Sequence, residues 1–344
     1  MTGQANRASP QILTRWLLIL FLVGLCSRGY GFYNQTLKSD PGTWTSVLEG
    51  TADAPEQYRV GVVFAANWMT HLLPLRLSQA FGSLDLLGSI VAVLLLHSLL
   101  LRSRIYRHAS LPLQWFGSAA FVALTFYLLD WSDWYRRVTT LPTACLVVLM
   151  LWVWTPPAEG AAPRSRWVSA LGFFFVVIAQ AFVRADVALL VCIGVLLACV
   201  LPKRAQQLSL PRGLAALVSA VTAASVLAVQ IYLMRVRYPH ATYGGVPVFM
   251  LAYDYWRITD WASCLIFLAP FLWTLTQAIR QRWACEGADL AFLIAAAGYA
   301  CLWVSLGRLD EVRIFLPFAL ALTPLTVQLL MHRIEQPPPL PLGP

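Results

Sequence analysis

Residues 167–201 read WVSALGFFFVVIAQAFVRADVALLVCIGVLLACVL. Two apolar runs, 167–183 and 186–201, flank the charged turn Arg184-Ala185-Asp186. At 17 and 16 residues each run lies at the short end of what crosses about 30 Å of hydrocarbon as a helix. Similar runs recur at 12–32, 84–101, 112–129, 141–155, 213–234, 259–279, 288–306 and 313–331. The pattern predicts an all-α, polytopic membrane protein with about ten transmembrane helices. The stretch 60–75 is apolar too, but Asn67, His71 and Pro74 interrupt it. It reads as a helix lying at the interface or dipping into the membrane.

Composition agrees. Of 344 residues, 59% are hydrophobic and 12% charged, and the mean hydropathy is +0.65. A soluble domain runs nearer 45–50% apolar and about a quarter charged. An ordinary soluble enzyme, a disordered chain and a secreted disulfide scaffold are therefore excluded. The expected organisation is a cytoplasmic segment 1–11, one membrane domain 12–334 with outer loops 33–83 and 235–258, and a Pro-rich, extended, disordered tail 335–344. No soluble catalytic domain fits between the spans, so any chemistry belongs at the membrane surface.

The net charge of +9 could point to nucleic acid, but in a membrane protein it reports basic cytoplasmic loops. With the N-terminus inside, thirteen Lys or Arg and four acids fall on the inner side, twelve of each outside. Counted as cations alone the bias is slight. The purely basic inner loop Arg102-Ser103-Arg104-Ile105-Tyr106-Arg107 favours this orientation. The sequence thus predicts an integral membrane protein of a bacterial inner membrane, N-terminus cytoplasmic, with no nucleic-acid partner. Arg7 and Arg15 followed by the apolar core 16–25 read as an uncleaved signal anchor. In Val23-Gly24-Leu25-Cys26, Leu25 stands where a lipoprotein cleavage box needs a small residue.

Several features carry no chemistry. The seven cysteines sit mostly inside apolar spans with no Cys-x-x-Cys pair, which argues against a disulfide framework or a zinc site. The five histidines have no metal spacing, and only His240, in an outer loop, is an even choice between site and surface. Trp16, Trp115, Trp131, Trp134, Trp167, Trp256, Trp261 and Trp283 lie near expected span ends, as interfacial anchors do. Asn34-Gln35-Thr36 is an acceptor sequon that matters in a eukaryotic secretory setting. There is no phosphate loop, dinucleotide fingerprint or obvious internal repeat.

The informative residues are the outer charges, because charge near hydrocarbon is costly and tends to be paired or functional. They form Lys38-Ser39-Asp40-Pro41-Gly42 with Glu49, Asp53, Glu56, Tyr58 and Arg59 behind it; Asp130-Trp131-Ser132-Asp133-Trp134-Tyr135-Arg136-Arg137; Arg184-Ala185-Asp186; and Arg308-Leu309-Asp310-Glu311-Val312-Arg313. The loop 235–258 adds Arg237, His240, Tyr253, Asp254 and Arg257. Any one of these can be a solvated loop charge. The short spans flanking Arg184 and Asp186, and the apolar Phe315-Leu316-Pro317 behind Glu311 and Arg313, set those charges close to hydrocarbon. Guanidinium groups grip phosphate with paired donors, and a carboxylate beside them can take a proton from an attacking hydroxyl. A lipid-linked sugar phosphate supplies both groups at an outer surface.

In this layout the chain resembles the GT-C class of integral-membrane glycosyltransferases. The likeness rests on Asp40 after the first span, on Ala54-Pro55-Glu56-Gln57-Tyr58-Arg59 before a partly apolar stretch, on Asp133 where a second acidic motif falls, and on Glu311-Val312-Arg313 opening the last helix. It covers most of the chain, though its motifs are short. The resemblance implies a polyprenyl-phosphate-linked sugar as donor and membrane lipid as partner. It makes Asp40 the catalytic base and Arg59, Asp133, Arg184, Asp186, His240, Arg308, Glu311 and Arg313 substrate-binding residues. The family's usual acidic pair is missing, since Ser39 precedes Asp40, and so is the soluble C-terminal domain of some members. Asp53 or Glu56 could replace Asp40 as the base, and a divalent-metal requirement stays open. The alternatives are a transporter or flippase of lipid-linked glycan, whose site belongs near mid-membrane on broken helices, and a membrane subunit without chemistry of its own.

Overall fold

The computed structural model describes residues 42–102, 138–157, 164–201, 208–242, 249–280, 287–307 and 312–335, with isolated positions 16, 17, 19–21, 23, 24, 27, 119 and 309. All regular structure among the described residues is helical. The helices are α1 (Gly42–Glu49), α2 (Val60–Leu72), α3 (Leu77–Arg102), α4 (Thr140–Trp154), α5 (Arg166–Val200), α6 (Arg212–Tyr232), α7 (Leu251–Asp254), α8 (Ile258–Arg280), α9 (Gly287–Leu306) and α10 (Leu316–Glu335). A 3-10 turn, Glu56–Tyr58, precedes α2, and another, Val312–Phe315, precedes α10. A π-helical turn, Leu233–Arg237, ends α6.

By length and composition α3, α5, α6 with its π-helical turn, and α9 can each cross a membrane. A fifth crossing is α8, if its halves Ile258–Ile266 and Leu268–Arg280, bent by 61°, form one span. The bend has a local cause: Pro270 lacks the N–H that would bond the carbonyl of residue 266, and its ring crowds that carbonyl. Helices α2, α4 and residues Leu316–Leu330 of α10 are apolar but shorter. Thus α2 covers residues 60–72 of the interrupted stretch without extending into a full span. Of the expected spans 12–32 and 112–129, only the isolated positions are described, and these are helical.

The 35 residues of α5 do not form one rod. Arg184 leaves helical geometry (φ −156°, ψ 96°) and divides the helix into two arms. A straight helix of this length would measure about 50 Å. The contacts at its two ends forbid that. Arg164, just before α5, donates to the Val153 carbonyl, and the next carbonyl, Trp154, accepts from Ser209 N–H. Arg212, three residues beyond Ser209, then donates to the carbonyl of Cys199 at the far end of α5. Two side chains and three residues of chain cannot bridge 50 Å, so the second arm folds back beside the first.

The neighbours of each arm agree. The first arm lies along α4, with Gly172 against Val153 and the Phe173 ring 4.8 Å from that of Trp154. The second runs antiparallel to α9, pairing Gly194 with Ala291, Leu190 with Gly298 and Asp186 with Trp303. At Gly194 the helices touch backbone to backbone, and a Cβ there would stand 2.3 Å from the Ala291 carbonyl oxygen. Helix α6 spans the same height, with Arg212 at Cys199 and Gln230 donating to the Ala181 carbonyl at 2.9 Å.

The bundle therefore has two poles. One gathers the ends of α3, α4 and both arms of α5 with the start of α6. Here arginines cap the exposed carbonyls of helix C-termini, where the backbone dipole favours cations. Arg102 donates to the carbonyls of Trp152 (3.1 Å) and Thr155 (2.8 Å), and Arg164 to that of Val153 (3.1 Å). The two guanidiniums lie 4.6 and 4.0 Å from the centre of the Trp152 ring. The other pole holds the bend at Arg184, the segment before α2, the end of α6 and the end of α9.

Candidate functional site

The Arg184 pole is assembled from segments far apart in sequence. Gln57, fully buried, fixes the first by accepting from Ala52 N–H (2.9 Å) and donating to the Val47 carbonyl (3.1 Å). Ala54 N–H then donates to the Thr242 carbonyl and Tyr58 Oη to that of Ala241, each at 3.0 Å, which ties this segment to the end of α6. Arg59 follows at the N-cap of α2. Gly61 lets α2 approach α5 directly, since a Cβ there would meet the Phe182 carbonyl oxygen at 3.1 Å. This contact carries Arg59 to the bend in α5.

At the bend, Arg184 is 8% exposed and donates to Asp186 through one edge of its guanidinium, Nη2 to Oδ2 at 2.6 Å and Nε to Oδ1 at 3.3 Å. Trp303 Nε1 donates to the same Oδ2 at 3.0 Å. The guanidinium lies 5.0 Å from the Trp303 ring centre and 5.7 Å from that of Tyr299. Gln180 donates to the Arg184 carbonyl at 3.2 Å, serving an acceptor that the break takes out of the helix ladder. The charge of Arg59 reaches both Asp186 and Tyr299. Tyr299 Oη in turn donates to the Ile314 carbonyl at 2.9 Å, holding the turn Val312–Phe315 against the site. Asp254, 1% exposed, accepts from Leu309 N–H at 3.1 Å and ties α7 to the chain leaving α9.

The arrangement is two arginines and one carboxylate over an aromatic floor, part-buried at one end of the bundle. Compared with known proteins, the chain matches no family model, no curated protein and no solved structure. Its chemistry is therefore argued from these side chains.

Of the residues the sequence singled out, the structure brings Arg59, Arg184 and Asp186 together. It sets the backbone of Arg313 in the turn that Tyr299 holds. His240 is exposed, on the segment that receives the Tyr58 and Ala54 hydrogen bonds. Asp40, Asp133, Arg308 and Glu311, and the side chain of Arg313, lie outside the described residues. Among the described residues no group of three or more His, Cys, Asp and Glu could hold a metal ion. Sequence reasoning missed Tyr299 and Trp303. Their signal was the four-residue spacing that stacks both on one face of α9, at the end that meets Arg184.

Proposed function

We propose that this protein is a GT-C-type glycosyltransferase with about ten spans that moves a sugar from a polyprenyl-phosphate donor to an acceptor at the outer face of a bacterial inner membrane. One observation carries the reading: segments around residues 59, 184 and 303 converge at a single pole, and that pole lies opposite the arginine-capped one. The pole with the short basic run at Arg102 is taken as cytoplasmic, with the Arg184 pole facing out and the N-terminus cytoplasmic.

In this reading Arg59 and Arg184, with Arg308 and Arg313, hold the donor phosphate, while Asp133, Glu311 and His240 contact the sugar or acceptor. Asp186 orients Arg184, since both its oxygens already accept from that guanidinium. Asp40 takes the proton of the acceptor hydroxyl as its oxygen bonds the anomeric carbon. The bond from that carbon to the phosphate oxygen breaks, and the lipid phosphate leaves with the electron pair, stabilised by the arginines. The bend at Arg184 supports an enzyme over a transporter: it is a turn at one pole, whereas transporters interrupt helices near mid-membrane.

The test is purified protein in proteoliposomes supplied with polyprenyl-phosphate monosaccharides and scored for released polyprenyl phosphate and glycosylated product. Wild type should form both. Asp40→Asn should insert normally yet lose about 10²–10⁴-fold in rate, the usual worth of a general base. Normal product from Asp40→Asn removes that residue from the role, and no product from wild type with any donor sinks the proposal.

A further inference from the structure

The pole opposite Arg184 carries two arginines with unused donors. Arg102, closing α3, makes its hydrogen bonds through Nη1 alone, to the carbonyls of Trp152, Thr155 and Pro156. Arg164, just before α5, also uses only Nη1, on the Trp152 carbonyl at 3.4 Å and that of Val153 at 3.1 Å. In both guanidiniums the edge formed by Nε and Nη2 meets no partner among the described residues. That edge presents two parallel N–H groups, the pattern that grips a phosphate. The two side chains share the Trp152 carbonyl and lie against the Trp152 ring, which Ser98 Oγ fixes by accepting from Nε1 at 3.2 Å. The charge of Arg164 is felt at Arg102, and an anion accepted by both edges offsets that repulsion.

The neighbouring surface says what carries the anion. Beyond Arg164, Trp167, Leu171 and Phe175 follow at four-residue steps on the first arm of α5, with Val168 beside them, and each is more than half exposed. Such steps place them in one apolar stripe that starts next to the arginines and runs along the arm. A phosphate ester with acyl chains matches both the free edges and the stripe; a free phosphate matches only the edges. We infer that Arg102 and Arg164 form a site for the phosphate of an anionic phospholipid whose acyl chains lie along Trp167, Leu171 and Phe175. Basic pockets between helices at the cytoplasmic side of a membrane hold head groups in this way. The site lies at the far pole from Arg184 and does not rest on the transferase reading. Its lipid is a bound partner that ties the end of α3 to the start of α5.

The test is native mass spectrometry of the full chain, titrated in detergent with phosphatidylglycerol. One phosphatidylglycerol should stay bound ahead of weaker ones, and phosphatidylcholine should bind less tightly. Arg164→Gln should weaken the first binding event about tenfold, the worth of hydrogen bonding to a charged group. Arg102→Lys, which keeps the charge but loses the paired edge, should weaken it too. Arg280→Gln, which removes an exposed cation at the end of α8, should leave it unchanged. Excess glycerol phosphate or inorganic phosphate should fail to displace the lipid. Equal binding by Arg164→Gln and wild type, or an equal loss in Arg280→Gln, overturns the inference. Displacement by either free phosphate overturns it as well, because the acyl chains then contribute nothing. Where a variant fails to fold, wild type decides: phosphatidylcholine bound as tightly as phosphatidylglycerol overturns the site.

Discussion

At the scale of residues, the site turns on a part-buried ion pair. Arg184 and Asp186 bind through two contacts, and Trp303 adds a third to the same carboxylate. Removing one partner strands the other charge in a poorly solvated place. Asp186→Ala and Trp303→Phe should therefore each destabilise the protein by about 1.5–3 kcal/mol, the worth of hydrogen bonding to a charged group. Denaturant titration in detergent checks both, and equal stability of Asp186→Ala and wild type would show the pair to be incidental. Arg184 and Asp186 were legible in the sequence because charge is conspicuous between two apolar runs. Tyr299 and Trp303 were not, because an aromatic residue near a span end is by default an interfacial anchor. Only the fold-back of α5 shows that these two rings face inward.

At the scale of elements, the decisive feature is the division of α5 at Arg184. The sequence split this region at the right place, since two runs of 17 and 16 residues are each near a membrane crossing and a charged triplet separates them. Pairing was beyond it: nothing local says that the second arm packs against α9 at Gly194. That contact makes a prediction. Gly194→Ala puts a methyl 2.3 Å from a backbone oxygen that cannot swing aside. It should cost about 1–3 kcal/mol through overpacking, measurable as a fall in midpoint, whereas Gly213→Ala, with open space around it, should not. The arginine caps give a second. Arg102→Ala removes hydrogen bonds to the Trp152 and Thr155 carbonyls, and the dipole term alone is worth up to about 2 kcal/mol in partly buried settings. Arg102→Lys keeps the charge and should recover part of it. The bend in α8 was legible in principle from Pro270, but a proline in an apolar run does not announce its angle.

At the scale of the whole molecule, the account is of two unlike poles. One is held by Arg102, Arg164 and Arg212 on the carbonyls of helix ends. The other gathers Arg59, Arg184, Asp186 and the aromatic residues beneath them. The sequence singled out two parts of this division, the basic run beginning at Arg102 and the charged turn at Arg184. It could not say which side chains within a pole would meet, since that depends on helix packing and on the lateral order of spans. In the proposed topology each arm of α5, divided at Arg184, crosses the membrane, and this is open to direct measurement. Single cysteines at Ser165 and Leu201, the exposed positions flanking α5, and at Asp53 and His240, exposed at the opposite pole, can be probed with a membrane-impermeant maleimide in sealed vesicles of known orientation. The account predicts that Ser165→Cys and Leu201→Cys label from one side and Asp53→Cys and His240→Cys from the other. Labelling of positions 165 and 201 from opposite sides would make α5 a single span and dismantle the pole on which the proposed chemistry stands.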